Sequence, residues 1–431
     1  MGVSVGWLPS WIINSITEAF SRGDVKVLSM AKARRMKIDP ITLEVVVEAL
    51  LSIVREMRVT IIRTAHSSVV CQGHDFSCCL FDTKGQLVAQ SEDLPGHVLP
   101  MSWSIRALMK KYQESMEPGD VFILNDPTSG GTHLNDVMVA MPVFREGRLF
   151  LIPAIRVHWV DVGGMVPGSL SGRATEIHQE GVIIPPIRVY SGGKPNQAAL
   201  DLLFSNVRLP EDRKGDFRAC LAGCRQAELR IHELLERYSN SVISGCIERS
   251  LDRAEERVQE QIEAIPQGTY FYEDYLESFE NGQFVPVRGC LTLEIKSRSV
   301  TADFTGTSPQ VSHPINASLG VTASGVFIPV KAIFDPDFPV NHGVIRPVEL
   351  IVPKGTIMNA TYPAPVGGFV ELRKRVISLV MGALAQAIPE RIAADQYGTT
   401  FHNMIGGRNP RTERPFVYYE WPKGGNGAYQ G

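Results

Sequence analysis

Histidine and carboxylate side chains recur between residues 126 and 161 in a spacing that suits a metal centre. Two His-x-x-Asp pairs lie in this stretch, His133 with Asp136 and His158 with Asp161. Imidazole nitrogens and carboxylate oxygens bind borderline divalent ions, and a site with one open position can activate water or polarise a carbonyl. Satisfied polar residues at strand ends would give the same pattern, so a purely structural role remains the alternative.

A β-hairpin is predicted to bring the two pairs together. Residues 137–144 and 149–159 are apolar and strand-like, and residues 145–148 between them form a turn. Folding about this turn places residues whose numbers sum to roughly 293 opposite each other, within about one residue of register. His158 is therefore expected to return beside Asp136.

The remaining pattern predicts an α+β protein with a mixed, multi-layer architecture, a metal site built on a β-hairpin and a second β-rich lobe. Helices are predicted from Asp39-Pro40 onward, over about 217–265, and, as the one clear helix of the second lobe, over 372–388. Strands are predicted at 76–81, 86–90, 121–124 and within 290–305.

The chain of 431 residues exceeds what one compact core usually accommodates, which predicts two lobes. The first, residues 38–265, carries the metal site and long helices. The second, residues 266–431, is rich in Gly, Pro and Thr and in alternating strands. Residues 1–37 stand apart as an N-terminal extension that is expected to be poorly ordered.

Charge, hydropathy and cysteine usage exclude several classes of protein. The formal net charge is −3, and no basic stripe interleaved with aromatic residues suits a nucleic acid. No apolar run is long enough to predict a membrane span. The seven cysteines are scattered without a Cys-x-x-Cys motif, which favours a reducing, cytoplasmic location.

Blocks of sequence along most of the chain resemble the hydantoinase B/oxoprolinase family, in the order in which that family carries them. The blocks are Asp39–Glu44, Asp75–Cys78, Leu80–Asp82, Val88–Glu92 with His97, Pro118–Pro127, Gly130–Asp136, Asp161–Met165, Pro167–Ser169, Gln179–Gly181, Ile184–Pro186, Asn206–Arg208, Asp303–Thr307, Gly406–Arg408 and Tyr418–Glu420. The resemblance begins near residue 38 and runs to the end of the chain.

The resemblance implies a division of labour between two subunits of a hetero-oligomer. A hydantoinase A-type subunit, an actin-like ATPase, would bind ATP and phosphorylate the amide or enol oxygen of a small substrate. This chain would then complete hydrolysis of a cyclic amide, such as a hydantoin, oxoproline or lactam, with metal-activated water as the nucleophile. The sequence agrees, because it contains neither a Gly-x4-Gly-Lys-Ser/Thr loop nor a dinucleotide-binding glycine motif before a suitable helix.

The same resemblance implies the site residues. His133, Asp136 and His158 would bind a divalent metal, with Asp75 as a fourth ligand, and zinc, manganese and iron all remain compatible. Asp161 is the candidate for orienting an imidazole or acting as a general base, against the alternative of a turn-capping aspartate. His97 is a candidate to line the same site, against a structural role.

Two other functions remain open. Related alpha subunits of ketone carboxylases would fix bicarbonate onto an enol phosphate. Family members also continue past the block Tyr418–Glu420, so a C-terminally truncated, non-catalytic subunit is the third hypothesis.

Overall fold

The protein is described by a computed structural model that covers residues 38–280, 282–395, 397–400, 402–422, 424–425 and 427–428. The N-terminal extension 1–37, expected to be poorly ordered, lies outside the described residues.

Eight helices lie within the described residues: α1 Pro40–Thr64, α2 Ser68–Cys71, α3 Pro95–Tyr112, α4 Gln197–Ser205, α5 Pro210–Arg237, α6 Asn240–Glu263, α7 Leu319–Phe334 and α8 Phe369–Leu384. Short 3-10 helices lie at Gln113–Ser115, Pro127–Ser129, Ile177–Gln179, His342–Ile345 and Pro389–Arg391.

The strands of the described residues are β1 Phe76–Phe81, β2 Leu87–Gln90, β3 Val121–Leu124, β4 Asp136–Ala140, β5 Val143–Arg145, β6 Arg148–His158, β7 Ile187–Ser191, β8 Lys194–Pro195, β9 Gly268–Glu280, β10 Gln283–Lys296, β11 Ser299–Asp303, β12 Val348–Ile351, β13 Asn403–Arg408 and β14 Pro415–Glu420. Together with the helices they confirm the α+β class.

An antiparallel sheet forms the middle layer of the first half of the chain. Its strands are ordered β2-β1-β6-β4-β3-β7-β8, with β5 paired to β6. Helices α1 and α5 cover one face and α3 covers the other, so β1 is buried along its whole length. Alternate residues of β1 belong to different apolar cores, Cys78 and Leu80 to one and Cys79 and Phe81 to the other, as the two-residue repeat of a strand requires.

The predicted hairpin is present, and it pairs Asp136 with His158. Near the turn, Arg145 lies opposite Arg148, in the predicted register. A β-bulge between Val143 and Phe144 then shifts the register by one residue, so Asp136 itself comes to lie opposite His158.

A second sheet, in the order β12-β11-β10-β9, lies in the second half of the chain. Helix α8 packs on β9 and β10, and α7 packs on α8 and also on α3. Because α3 touches both the first sheet and α7, it joins the two halves. Helix α6 contributes to the apolar cores of both halves: Leu251 belongs to the core of the first half and Ala254 to the core of the second. The boundary near residue 265 stays a prediction.

The helix predictions for the second half of the chain need correction. Its one predicted helix, 372–388, corresponds to α8, which begins at Phe369 and ends at Leu384, while α7 was missed. Most side chains of α7 are buried, and Pro329 lies inside it, so its sequence lacks the polar face that marks an amphipathic helix. The predicted helical region 217–265 is two helices, α5 and α6, separated where Ser239 caps α6.

Two further observations concern the class of protein. All seven cysteines are unpaired. Within the described residues, no helix has both the length and the apolar character needed to cross a membrane.

Candidate metal centre

Three ligand atoms from the hairpin and the loop before it meet at one buried point. His133 Nε2 lies 3.0 Å from Asp136 Oδ1, and His158 Nδ1 lies 3.1 Å from the same oxygen. The two imidazole nitrogens are 3.2 Å apart. All three residues are buried, and they form the group that is suited to a metal ion among the described residues.

Hydrogen bonds between neutral imidazoles and an ionised carboxylate do not explain the close approach of these three ligand atoms. The carbonyl oxygen of Gly367 accepts a hydrogen bond from His133 Nδ1 at 3.2 Å, which makes Nδ1 the protonated nitrogen of a neutral ring. The Nε2 lone pair of such a ring points at the Asp136 carboxylate, which is repulsive unless a cation lies between them. The geometry therefore requires a proton or a metal ion inside the triangle.

The edge lengths fit a metal ion. Ligand atoms about 2.1 Å from a shared ion lie about 3.0–3.4 Å from each other in octahedral or tetrahedral arrangements. The three observed edges are 3.0, 3.1 and 3.2 Å. The hydrogen bond from His133 to Gly367 also fixes the ring orientation, as protein groups behind metal-bound histidines usually do.

Electrostatics favours the ionised carboxylate at the centre. Burial opposes the charge on Asp136, but His133 and His97 outweigh it and hold the pKa of Asp136 well below its usual range. Burial likewise opposes the charged form of His133, yet Asp136 raises the pKa of His133 above its ordinary value. The carboxylate is thus ready to bind a cation at neutral pH.

Asp75 and His97 line the same site. His97 Nε2 lies 3.3 Å from Asp136 Oδ2 and 3.6 Å from Asp75 Oδ1. Asp75 Oδ2 lies 3.9 Å from His158 Nδ1, so Asp75 borders the triangle without belonging to it. Both side chains are buried, and Asp75 is therefore not a solvated turn residue.

Asp161 lies in a loop rather than among the imidazoles. Its Oδ1 accepts hydrogen bonds from the backbone N–H groups of Gly163 and Arg208, and its Oδ2 accepts one from Gly168 N–H. The Arg208 guanidinium completes the set at 3.1 Å. With both oxygens occupied in this way, the contacts favour the capping alternative over a role as base or as an imidazole partner.

Arg156 fixes the chain around His97. This buried side chain donates to Ser104 Oγ, to the carbonyl oxygen of Gly130 and, at 3.4 Å, to that of His97. Burial lowers the pKa of Arg156 to about 10, and Asp136 acts in the opposite direction. Arg156 thus remains charged at neutral pH and holds the first turn of α3 against the end of the sheet.

Aromatic side chains cover the imidazoles from the second half of the chain. Phe369, at the start of α8, meets the His133 ring edge-on with centroids 4.8 Å apart. Tyr419, on β14, stacks on His158 with centroids 5.0 Å apart, and its hydroxyl forms a 2.9 Å hydrogen bond with His402 Nδ1. Burial lowers the pKa of His402 to about 3, which keeps that imidazole neutral at physiological pH.

Glu180 supports the site from behind Gly367. Its two carboxylate oxygens accept hydrogen bonds from the N–H groups of Val366 and Gly367. Burial raises the pKa of Glu180 to about 7, although the two N–H donors act against this shift. Glu180 therefore fixes the backbone that directly precedes the Gly367 carbonyl group, whose oxygen orients His133.

Sequence reasoning missed several of these side chains. Glu180 and Tyr419 lie inside blocks that carry the family resemblance, but neither was assigned a role. Arg373, which borders the site, lies in a charged helical segment that is typical of a solvated face. No local signal marks such residues, since long-range packing alone brings them to the site.

A cavity of about 250 Å³ is separate from the triangle. The residues around it include Asp126, Ser318, Tyr362 and Val366, but none of the candidate ligands. The candidate ligands therefore lie outside this cavity.

Known proteins resemble this chain in both sequence and fold. A Pseudomonas sp. (strain NS671) protein, provisionally named as the B-type subunit of a D-/L-hydantoinase, is 30% identical over 414 residues, which cover 92% of this chain and 69% of that protein. The ATP-dependent caprolactamase of Pseudomonas jessenii matches with a TM-score of 0.84 and 31% identity, over 89% of this chain and 66% of that one. This chain thus spans about two thirds of the length of these relatives.

An acetone carboxylase structure shares the fold, with a TM-score of 0.81 over 88% of this chain and 53% of that one, at 20% identity. The sequence profile described as hydantoinase B/oxoprolinase matches residues 39–431. The chain belongs to the hydantoinase B/oxoprolinase family.

Proposed function

We propose that this chain is the B-type component of an ATP-dependent hydrolase of cyclic amides, with its reaction centre at the triangle of His133, Asp136 and His158. The convergence of these three ligand atoms, with edges of 3.0–3.2 Å, is the observation that carries the proposal. Relatives named as a hydantoinase component and an ATP-dependent caprolactamase support the reaction class.

His133, Asp136 and His158 would hold a divalent metal, and Asp75 would complete the protein ligands after a small side-chain movement. Zinc, manganese and iron all suit two imidazoles with carboxylates. A metal held in this way acts as a Lewis acid and lowers the pKa of bound water towards neutrality, which supplies a nucleophile for an activated amide carbon.

The side chains around the ligands would position and move protons. His97 Nε2 faces Asp75 Oδ1 and Asp136 Oδ2, a setting that suits the imidazolium form; that form would donate a proton to the leaving substrate nitrogen and become a neutral imidazole. Phe369 and Tyr419 cover the imidazoles and exclude water from their open faces. Asp161 takes no part, because its oxygens are bound within its own loop.

ATP would be used by a partner subunit of the hydantoinase A type. Phosphorylation of the amide oxygen there would turn a stable cyclic amide into a reactive substrate for this chain. The sequence contains no phosphate-binding glycine loop that could serve the same purpose.

Metal content of single variants tests the site. We expect the bound metal to fall below about half of the parent value in His133→Ala and in His158→Ala, because each substitution removes a ligand. His178→Ala is the matched control, since His178 is exposed and contacts Tyr362 rather than the triangle. Full metal content in both ligand variants would eliminate the site.

Activity of the reconstituted pair tests the reaction. The chain and its A-type partner, with ATP, should open members of a panel of hydantoins, lactams and 5-oxoproline, and the His158→Ala variant should not. A parallel assay with a ketone and bicarbonate examines the carboxylase alternative. Carboxylation without hydrolysis would replace the proposed reaction, and inactivity in both assays would favour the non-catalytic alternative.

A further inference from the structure

Arg373 is a half-buried cation that forms no ion pair with another described residue. It lies on α8, one turn after Phe369, and its guanidinium faces that ring at 5.6 Å. The Nε atom is buried and has no hydrogen-bond partner, and no ion pair or hydrogen bond reaches the guanidinium from any other described residue. A buried guanidinium nitrogen without a partner costs free energy, which an anionic ligand that accepts its hydrogen bond would recover.

The guanidinium lies beside the first turn of α3. Gly96 leaves space for it, because a Cβ atom at that position would lie 1.5 Å from Arg373 Nη1. This end of α3 has no side-chain cap, as its N-cap residue is Leu94. Pro95 has no N–H group and the His97 N–H donates to the carbonyl oxygen of Leu94, so the partial positive charge of this helix N-terminus rests on the remaining N–H groups of its first turn, beside the guanidinium.

This cationic corner borders the metal centre. Gly96 directly precedes His97, whose Nε2 lies 3.3 Å from Asp136 Oδ2. From the other side, Phe369 connects α8 to the His133 ring. Burial lowers the pKa of Arg373, while the carboxylates of Asp136 and Asp75 act in the opposite direction, consistent with their proximity.

The charges around the centre favour an anion there. Arg156 and Arg373 already balance Asp75 and Asp136, so a bound divalent ion would leave a surplus of positive charge. Arg156 uses its hydrogen bonds on Ser104 and on backbone carbonyl groups. Of these two described arginines, Arg373 is therefore the one that is free to bind a ligand.

We propose that Arg373 and the first turn of α3 form a phosphoryl-binding subsite beside the metal centre, which would hold the phosphoryl group of a phosphorylated cyclic amide. The inference rests on the proposed function for the identity of the substrate. The ligand chemistry itself, a tetrahedral phosphoryl dianion, follows from the planar donor fork of arginine next to helix N–H groups. The group can arrive on the substrate or remain as free phosphate.

Phosphate binding to the full-length, metal-loaded chain tests the subsite. Isothermal titration calorimetry would measure the affinities for inorganic phosphate and for cyclohexyl phosphate, a stable ester with a ring. Arg373→Gln should weaken binding of at least one of them by about tenfold or more, because hydrogen bonds to charged groups are lost. Arg373→Lys should retain part of the affinity, since it keeps the charge but not the fork.

Two further variants separate binding from folding. Arg375→Gln removes the same charge from the same helix, but Arg375 pairs with Asp274, so its phosphate affinity should equal that of the parent. Gly96→Ala should weaken phosphate binding as Arg373→Gln does, because its Cβ displaces the guanidinium. Melting temperature and metal content are measured on every variant.

The outcomes are distinguishable. If the parent chain binds cyclohexyl phosphate more tightly than inorganic phosphate, and Arg373→Gln loses this binding, the subsite recognises a phosphoryl group on the substrate. If only inorganic phosphate binds, and its binding depends on Arg373, the subsite holds the phosphate product. Parent-like affinity of folded Arg373→Gln for both ligands overturns the subsite while metal binding stands. Arg373-dependent binding in a chain that takes up no metal would instead keep the subsite and overturn the proposed function.

Discussion

At the scale of single residues, the candidate site is defined by which atoms have no ordinary partner. His158 Nε2, His97 Nδ1 and Asp75 Oδ1 are buried and without hydrogen bonds within the described residues. Unpaired buried polar atoms are rare in folded proteins and need an explanation. Their concentration around one triangle of ligand atoms agrees with a centre that binds a metal ion and a polar substrate.

Substitution of Asp75 tests whether three or four residues bind the metal. In Asp75→Asn we expect metal affinity to fall at least about tenfold, because a neutral amide is a poor substitute for a carboxylate ligand. Asp82→Asn, at the other end of β1, should leave metal affinity unchanged, since Asp82 only bonds its own turn. Parent-like affinity in Asp75→Asn, measured by competition with a chelator, would limit the ligand set to three residues.

Glu180 predicts a dependence of stability on pH. Burial raises its pKa from 4.5 to about 7, so between these values the folded state binds more protons than the unfolded state. The contribution of Glu180 to stability is therefore greatest below pH 4.5 and is lost as the pH rises through about 7. The loss is on the order of 3 kcal/mol, since one pKa unit corresponds to about 1.4 kcal/mol.

Glu180→Gln should remove this loss, because glutamine does not titrate. Urea unfolding at pH 5 and at pH 8 would measure the free energy of unfolding of parent and variant. The difference between the two pH values should be smaller in Glu180→Gln than in the parent. Glutamine is also a weaker hydrogen-bond acceptor than the carboxylate, but this effect on stability is the same at both pH values and therefore cancels in the difference. Glu176→Gln, an exposed neighbour, is the control, and equal pH dependence of parent and Glu180→Gln would refute the assignment.

At the scale of elements, the hairpin of β4, β5 and β6 sets the distance between the ligands. The bulge at Val143 shifts the strand register by one residue and places Asp136 opposite His158. Because side chains alternate between the two faces of a sheet, a slip of one residue would turn His158 away from Asp136. The bulge therefore belongs to the construction of the site.

The loop after β6 depends on Asp161. In Asp161→Asn we expect unfolding free energy to fall by about 1–3 kcal/mol, because each carboxylate oxygen accepts two hydrogen bonds and an amide leaves two of these donors without an acceptor. Metal content should stay at the parent value, since the carboxylate contacts no imidazole. Calorimetric melting and metal analysis would measure the two effects, and unchanged stability with lost activity would restore the catalytic hypothesis for Asp161.

At the scale of the whole molecule, the site requires both halves of the chain. The first sheet supplies the ligands, while α8 supplies Phe369 and Arg373 and the segment before it supplies Gly367. Helix α3 packs on both halves and carries His97. Separation of the halves would therefore remove the support of His133 and the cover of the site together.

The proposed division of labour between subunits predicts that the purified chain alone neither hydrolyses ATP nor opens a cyclic amide. Both activities should arise on addition of an A-type partner, because phosphorylation would occur there. Phosphate release and ring opening would be followed with the chain alone, the partner alone and the mixture. Turnover of ATP by the chain alone, at a rate that survives further purification, would contradict this expectation.

The sequence by itself determined the parts of the protein that depend on local patterns. The helix after Asp39-Pro40, the strand pair 76–81 and 87–90, and the hairpin that joins Asp136 to His158 follow from capping residues, alternation and turn chemistry. The grouping of His133 with these residues followed from spacing, and the family followed from the order of the blocks.

Only the tertiary structure decided which distant residues complete the site. Glu180, Gly367, Arg373 and Tyr419 reach it through packing between elements far apart in sequence, and helix α7 is hidden from sequence analysis because it is buried on nearly all sides. Asp161 had the spacing of a functional residue, yet its loop folds back so that backbone N–H groups and Arg208 take both oxygens. Local patterns report the periodicity of burial within one element, whereas these contacts arise from how elements pack against each other.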